Sequence, residues 1–240
     1  MGKWKHVQKY ADHIPSPSEH YLRNKDKATH ILIIDATFTK VNGKDRAIII
    51  AYDTGIGVVD YIIDVTENVT AYHFLFYRLD KVGYKPICVV SDGHISIKPA
   101  INDRNLPHQR CIYHLLSELK RKLTRNNSWE ITGRNKILYS RIKGIFKTGK
   151  IENLPERINH FRLKTEPLFY DKFSILKWFW NILPDAVLHL SYTEDIPNTT
   201  NRLENLNGQI KQRLKTMRGM KSEKSLRNLL KILFYFRNYK

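Results

Sequence analysis

Two apolar runs in this sequence of 240 residues lead into aspartates. Ile31, Leu32, Ile33 and Ile34 run into Asp35, and residues 86–91 run into Asp92. An unbroken aliphatic run reads as a strand covered on both faces. Each carboxylate is therefore expected at or near the core end of its strand. A carboxylate there is costly unless something pairs with it or neutralises it. Mg²⁺, a hard cation suited to oxygen ligands, would do so; the plainer alternative is an aspartate that caps a strand and bonds to backbone.

Two such carboxylates on neighbouring strands could hold one or two Mg²⁺ ions, with Mn²⁺ as a substitute, for phosphoryl transfer. A third acid should then come from a later helix packed on the sheet. Residues 199–218 carry an apolar stripe of Leu203, Leu206, Ile210, Leu214 and Met217 at spacings of three and four. Glu204 borders that stripe, and Lys211 lies two turns further along the same line. Lys215 and Arg218 continue the edge, while Gly208 leaves room for a bulky approach such as a phosphate backbone. The plainer alternative is a helix with a polar rim.

Residues 1–29 read as an irregular or loosely helical lead-in. Residues 30–40, 46–53 and 58–65 read as three strands of an antiparallel meander, with Asn42-Gly43 as the first turn. Residues 69–82 have the pattern of an amphipathic helix that Gly83 ends. A fourth strand, 86–91, is expected parallel to the first, since a helix joins them. HQRCIYH, 108–114, reads as a short fifth strand before a basic helix. This is the ribonuclease-H-like order: an α/β fold with a five-stranded mixed sheet and flanking helices. The expected organisation is a lead-in (1–29), a first part of the core (30–127), an aromatic-rich helical insertion (128–198) and helices completing the core (199–240).

The net charge of +18 is unevenly placed. Residues 110–150 and 201–240 each carry +9, whereas 31–109 carry −1. A basic rim around an acidic centre suits a polyanion held over a metal-binding pocket. Two cysteines give no disulfide framework and fit a reducing compartment. No apolar run is long enough to span a membrane, and MGKWKHVQ lacks the apolar core of a secretory signal. The expected location is cytoplasmic, at the nucleoid in a prokaryote.

Four strings taken in order, IIDATF, CVVSDGH, RCIYH and TTNRLENLNGQIKQRLKTMRG, resemble the DDE transposases of the Mutator type and their bacterial insertion-sequence relatives. The last string is the most specific, with Thr-Asn, the Glu, an Asn, then Lys/Arg and a Gly. The resemblance runs from about residue 30 to the end. It implies Asp35, Asp92 and Glu204 as catalytic acids and metal ligands in a ribonuclease-H-like fold with a helical insertion before the Glu. It makes Cys111 and His114 a motif near the active site. The function it implies is Mg²⁺-dependent cleavage of DNA at element ends, then strand transfer into target DNA, with a homo-oligomer left open. Lys211, Arg213, Lys215 and Arg218 would bind DNA. Such proteins usually carry a DNA-binding region before the first Asp, and the 34 residues preceding Asp35 hold no zinc-ligand cluster. The expectation is thus an N-terminally truncated chain, or else recognition of the element ends supplied otherwise. Two alternatives stay open: a nuclease or resolvase of the same fold that only hydrolyses, and a decayed or repurposed DNA-binding protein.

Other residues compete with these. Cys111 and His114 lack the second pair that zinc needs. His94 could touch a phosphate or the attacking water, or be a plain loop residue. Asp53, Asp60 and Asp64 rival the two strand-end acids, with Asp60 and Asp64 on one face of the third strand and expected to face solvent. Glu194 and Asp195 rival Glu204 from a loop. Trp178 and Trp180 could stack on unpaired bases, with insertion core as the expected role.

Overall fold

The computed structural model describes residues 3–124, 131–147, 150–192, 195–216 and 220–238, with side chains from residue 8 onward. It divides into two compact units, Met1–Pro107 with Thr200–Lys240, and His108–Thr199. The first opens with helices α1 (Lys3–His13) and α2 (Pro17–Asn24), so the lead-in, expected to be irregular or loosely helical, is helical. The α2 start is a reciprocal cap: Ser16 Oγ accepts from the Glu19 N–H, and Glu19 accepts from the Ser16 N–H.

The meander follows as β1 (Ile31–Val41), β2 (Lys44–Asp53) and β3 (Gly57–Asp64). Asn42 and Gly43, at φ 49° and 76°, make the two-residue turn between β1 and β2. Both positions are left-handed, which matches the strand twist and selects Asn-Gly. Helix α3 (Val69–Lys81) then leads to β4 (Cys88–Ser91), short helix α4 (Lys98–Asn102) and β5 (His108–Arg110). The sheet order is β3-β2-β1-β4-β5, with β1 antiparallel to β2 and parallel to β4. This is the ribonuclease-H-like arrangement expected from the order of elements.

Leu32 and Ile34 point to one face, where they join Ile49, Ala51, Val59 and the α3 residues Ala71, Tyr72, Leu75, Phe76 and Leu79 in a closed core. Ile31, Ile33, Ile48 and Ile50 alternate to the other face and are equally buried. Two later helices cover that second face, α9 (Asn201–Thr216) on β1 and α10 (Glu223–Asn238) on β3. Both faces are therefore dry, which is why these strands are apolar without alternation. Each fully buried isoleucine contributes roughly 1.5–3 kcal/mol. The outer strand β3 is tied by Asn238, whose amide both accepts from the Val58 N–H (2.8 Å) and donates to the Val58 carbonyl (3.0 Å). Gly57, at φ 93°, lets Asn238 approach; a Cβ there would lie 2.3 Å from its Oδ1.

The second unit begins with β5 and holds α5 (Ile112–Leu123), α6 (Gly133–Ile145), α7 (Leu154–Lys164) and α8 (Phe173–Ala186). Its core gathers Leu119, Leu123, Leu138, Ile142, Phe161, Phe169, Leu176, Phe179 and Leu183. Trp178 and Trp180 pack against this core, and the Trp180 indole donates to Glu166 at 3.1 Å. They serve the interior of this unit. The fifth strand is shorter than expected: it stops at Arg110, and Cys111 caps α5. The buried residues Ile112, Leu115, Leu119 and Leu123 keep a helical spacing from the start, so the CIYH segment belongs to the helix. Among the described residues, no helix is long and apolar enough to cross a membrane.

Two acids of the meander are structural. Asp53 is fully buried and accepts from the N–H groups of Thr29 (3.2 Å), His30 (2.8 Å), Gly55 (2.8 Å) and Ile56 (3.1 Å), and from the Tyr84 hydroxyl (2.8 Å). Burial, then the Asp53 charge, pushes the Tyr84 phenol up, so it stays a donor. Asp60 was expected to face solvent; it is buried, and its Oδ1 accepts from Arg78 (2.8 Å) and the Tyr61 N–H (2.8 Å). Burial raises the Asp60 carboxyl above its ordinary value, against the opposing pull of Arg78.

Arg78→Met strands a buried carboxylate and should cost about 3 kcal/mol at neutral pH, the lower end for a broken buried pair because Arg78 is partly exposed. A carboxyl raised on folding binds its proton more tightly in the folded state, so its contribution to stability falls as pH rises through its range. The Arg78→Met loss should therefore be smaller at pH 4 than at pH 7 in urea denaturation. An equal loss at both would contradict an ionised Asp60 in the variant.

Candidate active site

Asp35 lies in the middle of β1 rather than at its end, because β1 continues to Val41 in its ladder with β2. It does stand where the β4 pairing stops. The parallel register runs from Ile31↔Cys88 to Ile34↔Ser91, so Asp35 and Asp92 are the next residues on each chain. Adjacent strands are ~4.8 Å apart, and the two acids leave that pairing side by side. The loop after β4 turns back at once. Gly93, at φ 79°, donates to Ser91 Oγ (3.1 Å), and the His94 N–H donates to Asp92 Oδ1 (2.8 Å). Asp92 is thereby held by its own loop.

Both Asp35 oxygens are held. Oδ1 accepts from the Ala36 N–H (2.9 Å), and Oδ2 accepts from Asn207 Nδ2 (2.8 Å) on α9. That bond joins residues 172 apart in sequence and ties α9 to the sheet at the acid. Leu203, Leu206, Ile210 and Leu214 are the buried face of α9, as their spacing predicts; Met217 lies outside the described residues. Glu204, half-buried, sits one turn before Asn207, where residues three apart are neighbours on the helix surface. Its Oε1 accepts from the buried Thr200 hydroxyl at 2.7 Å. Glu204 is in the first turn of α9, at the positive end of the helix dipole.

Lys211, Arg213 and Lys215 are exposed along α9; Arg218 lies outside the described residues. At Gly208 an added Cβ would meet nothing within 4 Å, so the space read from the sequence is open. Cys111 and His114 belong to the second unit, at the start of α5, and Cys111 is buried. Asp64 accepts from the Val65 N–H (2.6 Å) and Asn68 (3.3 Å) in the turn before α3. Asp195 is exposed, and Glu194 lies outside the described residues.

The sequence reading gave no role to Glu67, Tyr72 or Asn207. Glu67 accepts a short hydrogen bond from the buried Tyr72 hydroxyl, and its Oε1 lies 3.1 Å from His94 Nδ1. Burial is the main cause that pushes the Tyr72 phenol up, followed by the charges of Glu67, Asp92 and Asp35. Tyr72 is thus a donor that meets the combined field of the acids. Nothing in the spacing of Glu67 reveals this, because Glu67 sits in a turn. Asn207 had a signal: it is three residues from Glu204 on the same helix, bordering an apolar stripe.

A family model described as "Transposase, Mutator family" matches residues 16–239. The transposase for insertion sequence element IS905 of Lactococcus lactis subsp. lactis (strain IL1403) is 24% identical over 191 residues, covering 76% of this chain. The match covers 46% of that protein, so the chain spans about half the length of this curated relative. Among solved structures, the HTLV-2 integrase catalytic core domain in complex with magnesium matches in its dimeric form, with a TM-score of 0.32 and 14% identity over 55% of this chain and 86% of that one. Its trimeric form matches with a TM-score of 0.32 and 16% identity over 55% of this chain and 81% of that one.

Proposed function

Since the chain belongs to the Mutator family of transposases, we propose that it is a DDE transposase catalytic domain, with Asp35, Asp92 and Glu204 as its acids. It would cut DNA at the element end and join the freed 3′-hydroxyl to target DNA. The observation that carries this reading is the Asn207–Asp35 bond. It brings the helix bearing Glu204 to the strand position next in register to Asp92. In this reading residues 128–198 are an insertion into the catalytic core.

The donor set suits a divalent cation. Three carboxylates offer hard oxygens, and beside them the buried Asn207 Oδ1 has no partner among the described residues. Asp35, Asp92 and Glu204 would hold Mg²⁺ or Mn²⁺. When bound, the ion would supply Lewis-acid stabilisation of the charge that builds on the phosphate oxygens. The chain's own contribution is positional. Backbone and side-chain donors hold Asp35 and Asp92, and Thr200 holds Glu204, so each acid is fixed on its own element. Exposed Lys211, Arg213 and Lys215 would hold DNA phosphates and supply register rather than sequence preference. Open space at Gly208 lets a backbone pass close to the helix. Attack is in line: a water, then a 3′-hydroxyl, displaces an alkoxide from phosphorus and gives up its proton, and no side chain becomes covalently attached.

A strand-transfer assay with pre-cut element ends tests the reading. Joined products dependent on Mg²⁺ support it. Hydrolysis without joining would make the protein a nuclease, and DNA binding with neither would make it a binding protein. Binding itself should be steeply salt-dependent. Replacing Lys211, Arg213 and Lys215 together by alanine should reduce the slope of log K against log salt by about 2–3, near 0.9 per lost phosphate contact. An unchanged slope would place the DNA elsewhere.

A further inference from the structure

We propose that Asn207 is a positioning residue of the three-carboxylate site: its Nδ2 fixes the Asp35 carboxylate, and its Oδ1 accepts from a water carried by the bound cation. This rests on the reading that Asp35, Asp92 and Glu204 hold a divalent cation.

A buried amide persists only where its polar atoms find partners. Asn207 is 5% exposed. Its Nδ2 is satisfied by Asp35 Oδ2 at 2.8 Å, and its Oδ1 is buried with no partner among the described residues. Turning the amide over does not cure this. It would set Oδ1 against a carboxylate oxygen, two acceptors face to face. The orientation is therefore fixed by chemistry, and the orphan is the acceptor. Oδ1 and Nδ2 are adjacent corners of one planar group, so Oδ1 also lies beside Asp35. What suits an acceptor there is a strong donor next to a carboxylate, and a metal-bound water is such a donor.

The placement on α9 adds a second function. Asn207 is one turn from Glu204, so the bond that holds Asp35 also sets Glu204 relative to Asp35. Partners that orient metal ligands in this way typically matter 10–100-fold in affinity.

The test is Mn²⁺ titration calorimetry on the full chain without DNA. Wild-type protein should bind Mn²⁺ saturably, and Asp35→Asn should abolish binding. Asn207→Leu, similar in size but without polar atoms, should bind about 10–100-fold more weakly. Asn207→Gln keeps both the amide donor and the amide acceptor and should recover most of that loss, a rescue that a purely structural role would not give. If wild type shows no binding that Asp35→Asn removes, the three-carboxylate reading fails and takes this proposal with it. If wild type binds and folded Asn207→Leu binds equally well, the proposal is overturned while the three-carboxylate reading stands. Should Asn207→Leu not fold, the smaller Asn207→Ala decides: a loss of about tenfold or more supports the proposal, and an unchanged affinity overturns it.

Discussion

Glu204→Gln should lower Mg²⁺-dependent DNA cleavage by more than about 10³-fold, with folding and DNA binding nearly intact. The substitution keeps the size of the side chain and its contact with the Thr200 hydroxyl, which can bond an amide oxygen as it does a carboxylate. It removes the negative charge by which α9 would hold a cation. Lost stabilisation of transition-state charge costs several kcal/mol, and each ~1.4 kcal/mol is tenfold in rate. The control is Asp195→Asn: that acid is exposed in a loop and should be nearly silent. Cleavage is measured on labelled duplex carrying an element end, and Mn²⁺ titration gives a second readout that does not depend on turnover. Normal cleavage and normal Mn²⁺ affinity in Glu204→Gln, with Asp195→Asn dead, would remove Glu204 from the site.

Asp53→Ala should be the most damaging single truncation among the acids for stability, at about 4–5 kcal/mol. Five donors converge on this one carboxylate, four of them backbone N–H groups. Each donor left buried without a partner costs about 1–3 kcal/mol, and the half-exposed ones recover part of that from water. Against a total stability of roughly 5–15 kcal/mol, the variant should be marginal. The bonds fix the chain just ahead of β1, including His30, which is held at φ 59°. Asp53→Asn should lose less, since it keeps one acceptor oxygen. Urea denaturation of the three proteins checks the order, and a loss below about 1 kcal/mol in Asp53→Ala would show that the donors find other partners.

The two substitutions mark a division among acids that the sequence treats alike. Asp35, Asp53 and Asp60 all follow or interrupt apolar runs in the meander. Nothing local says that Asp53 collects five donors, that Asp60 is buried against Arg78, or that Asp35 shares a hydrogen bond with Asn207. The distant partners, Thr29, His30 and Tyr84 for Asp53, Arg78 for Asp60 and Asn207 for Asp35, come from 18 to 172 residues away. The expectation that Asp60 faces solvent failed for this reason: alternation assigns a side to a strand residue but not what covers that side.

Other features were legible in the sequence because they depend on neighbours within a few residues. Continuous aliphatic runs mark strands dry on both faces, and Asn42-Gly43 marks a turn that requires two left-handed residues. The spacing of Leu203, Leu206, Ile210 and Leu214 marks the buried face of α9. Those three facts, with a helix between the third and fourth strands, determine the order of the sheet and the helix expected to deliver the third acid. Asn207 stood at the edge of that helix face, but its role did not, because a hydrogen bond between α9 and β1 exists only once both have packed. Periodicity is a property of the chain and fixes which face is dry. Which carboxylate is caged by backbone, which is paired with an arginine and which is tied to α9 is settled by donors that the tertiary fold brings within 3 Å.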